Sequence, residues 1–189
     1  MIYQDILLFL SNIFNKHHLN YFATGSLAVA FYGRERTSHD FDFKISISHK
    51  ESKSLILALS DLSPDYIYDK EGIISAIETK SMANILYLPL GFKIDLWFNK
   101  ETVFDQERFK RKINQTIEGQ KINFISPEDL ILIKLDWYRN SHSDRHFEDA
   151  ASVFQIQKNL DQKYLNLWAK KLKVENYLKQ LKTFPVQEW

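Results

Sequence analysis

The chain has 189 residues, 44% of them hydrophobic and 14% aromatic, with 25 basic and 24 acidic side chains and no cysteine. This length and apolar content fit a folded chain of one domain, or one small domain with a helical appendage, that buries a core without covalent staples. The lack of cysteine excludes disulfides, thiolate metal sites and cysteine nucleophiles, and a net charge of +1 supplies no global attraction to nucleic acid or anionic membrane.

Apolar groups at Ile2, Ile6, Phe9, Leu10, Ile13 and Phe14 recur at helical spacing, which predicts a first helix over 2–16. Asp5 interrupts its apolar run and no basic stretch precedes it, so it does not read as a leader peptide. No run of residues approaches the roughly 20 apolar positions of a membrane span, and the expectation is a soluble cytoplasmic protein. Residues 20–24 read as a short strand ending at Gly25, and 26–32 as a brief apolar helix closed by Gly33. Residues 39–47 alternate, with Phe41, Phe43, Ile45 and Ile47 on one face and Asp40, Asp42, Lys44 and Ser46 on the other. That period of two is a half-buried strand.

Residues 49–60 read as a helix, broken at Ser63-Pro64. Residues 83–88 and 91–98 form a hairpin around Pro89-Leu90-Gly91. Its second strand places Phe92, Ile94, Leu96 and Phe98 on one side and Lys93, Asp95 and Trp97 on the other. Residues 112–118 and 120–125 flank Gly119 as a second hairpin. Beyond Ser126-Pro127-Glu128-Asp129, a helix-starting sequence, the chain reads as helices, with later ones over 144–157, 161–172 and 174–182. The expected class is α/β (α+β), a mixed sheet flanked by helices over 1–125, with a helical region over 126–189 packed on it.

Asp40 and Asp42 are two apart on one strand and therefore share a face. Two like charges so close repel, and a divalent cation relieves the conflict; hard carboxylate oxygens suit magnesium. Asp95 is the only acid on a strand whose reverse is wholly apolar, and it joins the pair if the two strands are neighbours. Gly25-Ser26, at a strand-to-helix turn, permits close backbone approach to phosphate at a helix start. Arg34 and Arg36 offer bidentate donors to phosphate oxygens. His39, between Ser38 and Asp40, points to the apolar side by alternation and reads as a packing residue.

Gly25-Ser26, then Gly33, then Arg36-Thr37-Ser38-His39-Asp40-Phe41-Asp42 resembles the signature of the nucleotidyltransferase superfamily, the DNA polymerase beta-like fold. The spacing is most similar to a branch of small proteins that includes abortive-infection toxins. Ser126 to Leu135 resembles that branch's first C-terminal helix with its lysine, here Lys134. The stretch Arg145-His146-Phe147-Glu148-Asp149 departs from the pattern, because His146 stands where relatives carry an acid.

The resemblance implies a Mg²⁺-dependent enzyme that moves a nucleoside monophosphate from an NTP to a hydroxyl on a small molecule, a protein or RNA. It implies that Asp40 and Asp42 hold Mg²⁺ on the triphosphate, and that Asp95 binds a second ion and helps deprotonate the acceptor. It also implies that Gly25, Ser26 and Arg36 hold the phosphates, with Lys134 approaching the nucleotide. The other expectation carried forward is a non-catalytic protein of the same fold, one component of a toxin–antitoxin pair acting through a protein partner.

Overall fold

The computed structural model describes residues 2–35, 38–98, 100 and 102–185. The chain forms two compact units, one of Met1–Gly25 with Ser38–Ile125 and the other of Ser26–Thr37 with Ser126–Trp189.

The first unit is built on a seven-stranded mixed sheet. Its strands are β1 (Asn20–Thr24), β2 (Asp40–Ser46), β3 (Tyr66–Tyr68), β4 (Met82–Tyr87), β5 (Phe92–Phe98), β6 (Ile113–Ile117) and β7 (Gln120–Phe124), in the spatial order β3-β4-β5-β2-β1-β7-β6. β2 runs parallel to β5 and antiparallel to β1, and β1 runs parallel to β7. The two expected hairpins are present. β4 and β5 are joined by a 3-10 turn at Leu88–Leu90, and β6 and β7 by Glu118-Gly119. Both residues of the second turn have positive φ, 48° and 77°, the two-residue geometry that matches strand twist.

One face of the sheet is the core. Phe41, Phe43 and Ile45 of β2, Ile94, Leu96 and Phe98 of β5, and Tyr21 and Ala23 of β1 are all buried. Helix α1 (Ile2–Lys16) supplies Ile6, Leu10, Ile13 and Phe14 to this core. Phe14 meets the rings of Tyr21 and Phe43 edge-on at 5.1 and 5.2 Å. The helix expected over 49–60 is a 3-10 turn at His49–Glu51 followed by α3 (Ser52–Leu59). Burying this face is the main source of stability, since each fully buried large apolar side chain contributes roughly 1.5–3 kcal/mol.

Three elements of this unit go beyond the expected set: β3, helix α4 (Lys70–Glu78) and helix α5 (Val103–Arg111). Asp69 caps α4 by accepting from the Glu71 amide, and Thr102 caps α5 by accepting from the Asp105 amide. α5 packs on the face opposite α1, where Phe109 meets the ring of Phe22 at 4.7 Å.

The second unit is helical. It holds the body of α2 (Gly25–Tyr32) with α6 (Pro127–Ser141), α7 (Asp144–Ile156), α8 (Gln162–Leu172) and α9 (Glu175–Gln180). Ser126 caps α6 through the Asp129 amide with Pro127 in the first turn, the start that the Ser-Pro-Glu-Asp sequence predicts. Among the described residues no helix is long and apolar enough to cross a membrane.

Candidate functional site

The register of the sheet brings the acidic positions together. Asp42 of β2 lies directly opposite Asp95 of β5, and Asp40 lies opposite Lys93. On its other side Asp42 pairs with Thr24 of β1, and Asp95 pairs with Asn84 of β4. Directly opposed residues share a face, so Thr24, Asp42, Asp95 and Asn84 form one row across four strands. The two strands carrying the acids are neighbours. Asp40 is exposed, Asp42 half-buried and Asp95 buried.

Each carboxylate of the central pair is oriented by neighbours on its own face. Asp42 Oδ1 accepts from the Trp97 indole Nε1 at 3.0 Å. Asp95 Oδ1 accepts from Asn84 Nδ2 at 2.5 Å, and Asp95 Oδ2 accepts from Lys93 Nζ at 3.0 Å. This hydrogen bond raises the Lys93 pKa against the opposing effect of desolvation, and the charges of Asp95, Asp40 and Asp42 add to the rise. Among the described residues no three acid or imidazole side chains are gathered closely enough to enclose an ion. The oxygen donors themselves are of the kind a hard divalent cation takes. Two carboxylates stand in register on strands spaced roughly 4.8 Å apart, and oxygen ligands of this kind suit magnesium.

Gly25 abuts the row. It follows β1 and opens α2 with φ of +62°, a conformation that L-residues with a Cβ rarely adopt. A Cβ at this position would lie 2.0 Å from Asp42 Oδ2 and 2.6 Å from its Cγ. The turn therefore presses bare backbone against the carboxylate, and only glycine allows that approach.

Further along the same face, Lys44 lies 3.5 Å from Asp105 of α5, and Arg108 binds the same carboxylate. The Thr102 hydroxyl donates to Asp105 Oδ2 at 2.7 Å. Burial, with repulsion from Arg108, brings the Lys44 ammonium down to about 8 although Asp105 opposes the shift. Burial pushes Asp105 upward, but Arg108 and Lys44 outweigh it and hold the carboxyl below its usual range. This network ties α5 to the acidic face of β2.

The remaining expected site residues divide as follows. Arg36 lies outside the described residues. Ser26 is buried in the first turn of α2. In the helical unit Lys134 is buried and donates to Asp149 Oδ2 at 2.8 Å, with its ammonium 5.1 Å from the centre of the Trp137 ring. Arg34 Nη2 donates to Glu148 Oε2 at 2.7 Å and lies 3.7 Å from Asp149 Oδ1. Among the described residues Asp149 is thus flanked by Lys134 and Arg34 within that unit, and the stretch 145–149 supplies counter-charges to both. The His146 ring meets Trp137 at 5.3 Å. His39 is exposed, and its ring contacts Phe92 at 5.7 Å.

The residue beside the acids that the motif reading passes over is Asn84. Lys93 and Trp97 are visible on the Asp95 face from alternation alone. Asn84 follows once the hairpin register is counted back from its turn, because Tyr87 opposite Phe92 places Asn84 opposite Asp95.

No protein-family model matches the sequence, and no curated protein matches it. Solved structures do. One is the crystal structure of an antigenic nucleotidyltransferase-like protein from Paracoccidioides brasiliensis, with a TM-score of 0.60 at 17% identity over 94% of this chain and 91% of that one. Another is the solution structure of the antibiotic-resistance factor ANT(2'')-Ia, with a TM-score of 0.53 at 10% identity over 95% of this chain and 97% of that one. A seven-stranded mixed sheet flanked by helices, followed by a helical region and matched nearly end to end by these two structures, gives the chain a nucleotidyltransferase-like fold.

Proposed function

We propose that the protein is a nucleotidyltransferase that moves a nucleoside monophosphate from an NTP to a hydroxyl acceptor with the help of Mg²⁺. The observation that carries this reading is the in-register pairing of Asp42 with Asp95 on parallel neighbouring strands, with Gly25 pressed against Asp42. Asp40 lies on the same face of β2, two residues before Asp42. The fold likeness to nucleotidyltransferases supports the reaction class, because an acidic row on this sheet is the feature such chemistry needs.

Asp40, Asp42 and Asp95 are the residues that would hold the metal. Bound there, Mg²⁺ would neutralise the triphosphate and stabilise charge on the attacking and leaving oxygens. The chain's own contribution is positioning. The Trp97 indole fixes one oxygen of Asp42 and the Asn84 amide fixes one oxygen of Asp95. Partners of this kind, bonded to the ligands and not to the ion, set ligand orientation. In the transfer step the acceptor oxygen forms a bond to the α-phosphorus. The bond from that phosphorus to the bridging oxygen breaks, and pyrophosphate leaves. Asp95 receives the hydroxyl proton.

The test is incubation of the purified protein with α-labelled NTPs, Mg²⁺ and pools of small-molecule, protein and RNA acceptors. Transfer of the α label with release of pyrophosphate, lost on chelation and in Asp95→Asn, is the expected result. No transfer to any pool, together with no binding of Mg²⁺–NTP by calorimetry, sinks the proposal.

A further inference from the structure

The Lys93 ammonium bonds one carboxylate oxygen of Asp95, an acid proposed above to hold the metal. Lys93 Nζ lies 3.0 Å from Asp95 Oδ2, while the other oxygen, Oδ1, is held by Asn84. The two partners differ in kind. Asn84 is a neutral donor on a short side chain one strand away. Lys93 is a unit charge on a flexible four-carbon stem, and its side chain is 43% exposed against 9% for Asp95. The lysine can swing into solvent, but only by giving up its bond to Asp95. Its backbone position is opposite Asp40, so it stands between two of the three acids.

We infer that Lys93 is a built-in counter-ion of the acidic row, which holds Asp95 Oδ2 in the metal-free protein and competes with a divalent cation for that oxygen. The inference rests on the metal-binding reading of Asp40, Asp42 and Asp95 above. A carboxylate oxygen that accepts an ammonium at hydrogen-bond distance cannot at once take an ion at magnesium's roughly 2.1 Å without forcing two cations together. Cation binding therefore displaces Lys93, and the acidic row has a lower affinity for free metal than three carboxylates alone would give. The protein then holds metal weakly until the triphosphate adds oxygen ligands and negative charge. That makes it a device for taking the ion with the nucleotide.

The test is titration of Mn²⁺, in place of Mg²⁺, into the nucleotide-free protein, with free Mn²⁺ read by electron paramagnetic resonance. Four proteins are compared: the wild type, Lys93→Met, Lys93→Arg and Lys53→Met. Lys93→Met keeps the length of the side chain and removes the charge. Lys93→Arg keeps the charge. Lys53, exposed on α3, controls for net charge alone. Removing a unit charge roughly 5 Å from a divalent ion predicts tighter Mn²⁺ binding by about tenfold in low salt, shrinking as salt screens the pair. Lys93→Arg and Lys53→Met should stay within about twofold of the wild type, since surface charges at a distance are screened. Wild-type binding with no gain in Lys93→Met overturns this inference alone. An equal gain in Lys53→Met also overturns it. No Mn²⁺ binding by either the wild type or Lys93→Met overturns it together with the metal-binding reading.

Discussion

Replacing Gly25 with alanine tests the contact between the turn and the acidic row. At φ of +62° an alanine pays roughly 1–2 kcal/mol for the left-handed backbone. Its Cβ would lie 2.0 Å from Asp42 Oδ2 and 2.9 Å from Asp42 Cβ, so the carboxylate must move by more than an ångström. That movement breaks its bond to Trp97 Nε1, now 3.0 Å, a charge-assisted bond worth about 1.5 kcal/mol or more. The expected loss of stability in Gly25→Ala is therefore about 3 kcal/mol, read as a shift in urea denaturation followed by circular dichroism. In an Asp42→Gly background Cβ, Cγ and both oxygens are absent. There the same substitution should cost only the left-handed term, about 1–2 kcal/mol. An equal cost in both backgrounds, or a single-variant cost below about 0.5 kcal/mol, refutes the contact and with it the reason for glycine at this turn.

Other outcomes follow from the same geometry. Asp42→Asn and Asp95→Asn should each lower nucleotidyl transfer by at least about 10³-fold while leaving the denaturation midpoint close to wild type, because each removes charge needed in the transition state. Lys134→Met should destabilise the helical unit by roughly 3–5 kcal/mol because it leaves a buried carboxylate without its closest cation, and Lys134→Met with Asp149→Leu should recover most of that loss; both are read by denaturation. Asp105 is held below its usual range by Arg108 and Lys44, so its contribution to stability is complete above the unfolded carboxylate pKa and is lost as pH falls through the lower folded value. Asp105→Asn should therefore flatten the dependence of the denaturation midpoint on pH in the acid limb, and an unchanged slope contradicts the assignment.

Most of the site is legible from alternation. Period two in β2 and β5 separates Phe41, Phe43, Ile94 and Leu96 from Asp40, Asp42 and Asp95, and burial follows that split except at Asp95. Asp95 is buried on the polar face because Asn84 and Lys93 enclose it, and a strand pattern cannot report a neighbour's reach. Helix α5 escapes a periodicity reading for a related reason. Its buried face includes Asp105 and Arg108 beside Phe104 and Phe109, and charges that neutralise one another inside a fold look like a solvated surface in sequence. β3 is only three residues long, too short for alternation to register. In the helical unit, the Ser126 cap was legible from its residues, whereas the pairing of Arg34 with Glu148 spans 114 positions and depends on tertiary packing.

The most direct measurement is anomalous diffraction from crystals grown with Mn²⁺ and a non-hydrolysable NTP analogue. An anomalous peak within bonding distance of both Asp42 and Asp95, with the analogue's phosphates beside it, is the predicted result. Nucleotide bound with no peak at this pair, or with the metal held elsewhere, contradicts the assignment of the acidic row as the centre of the chemistry.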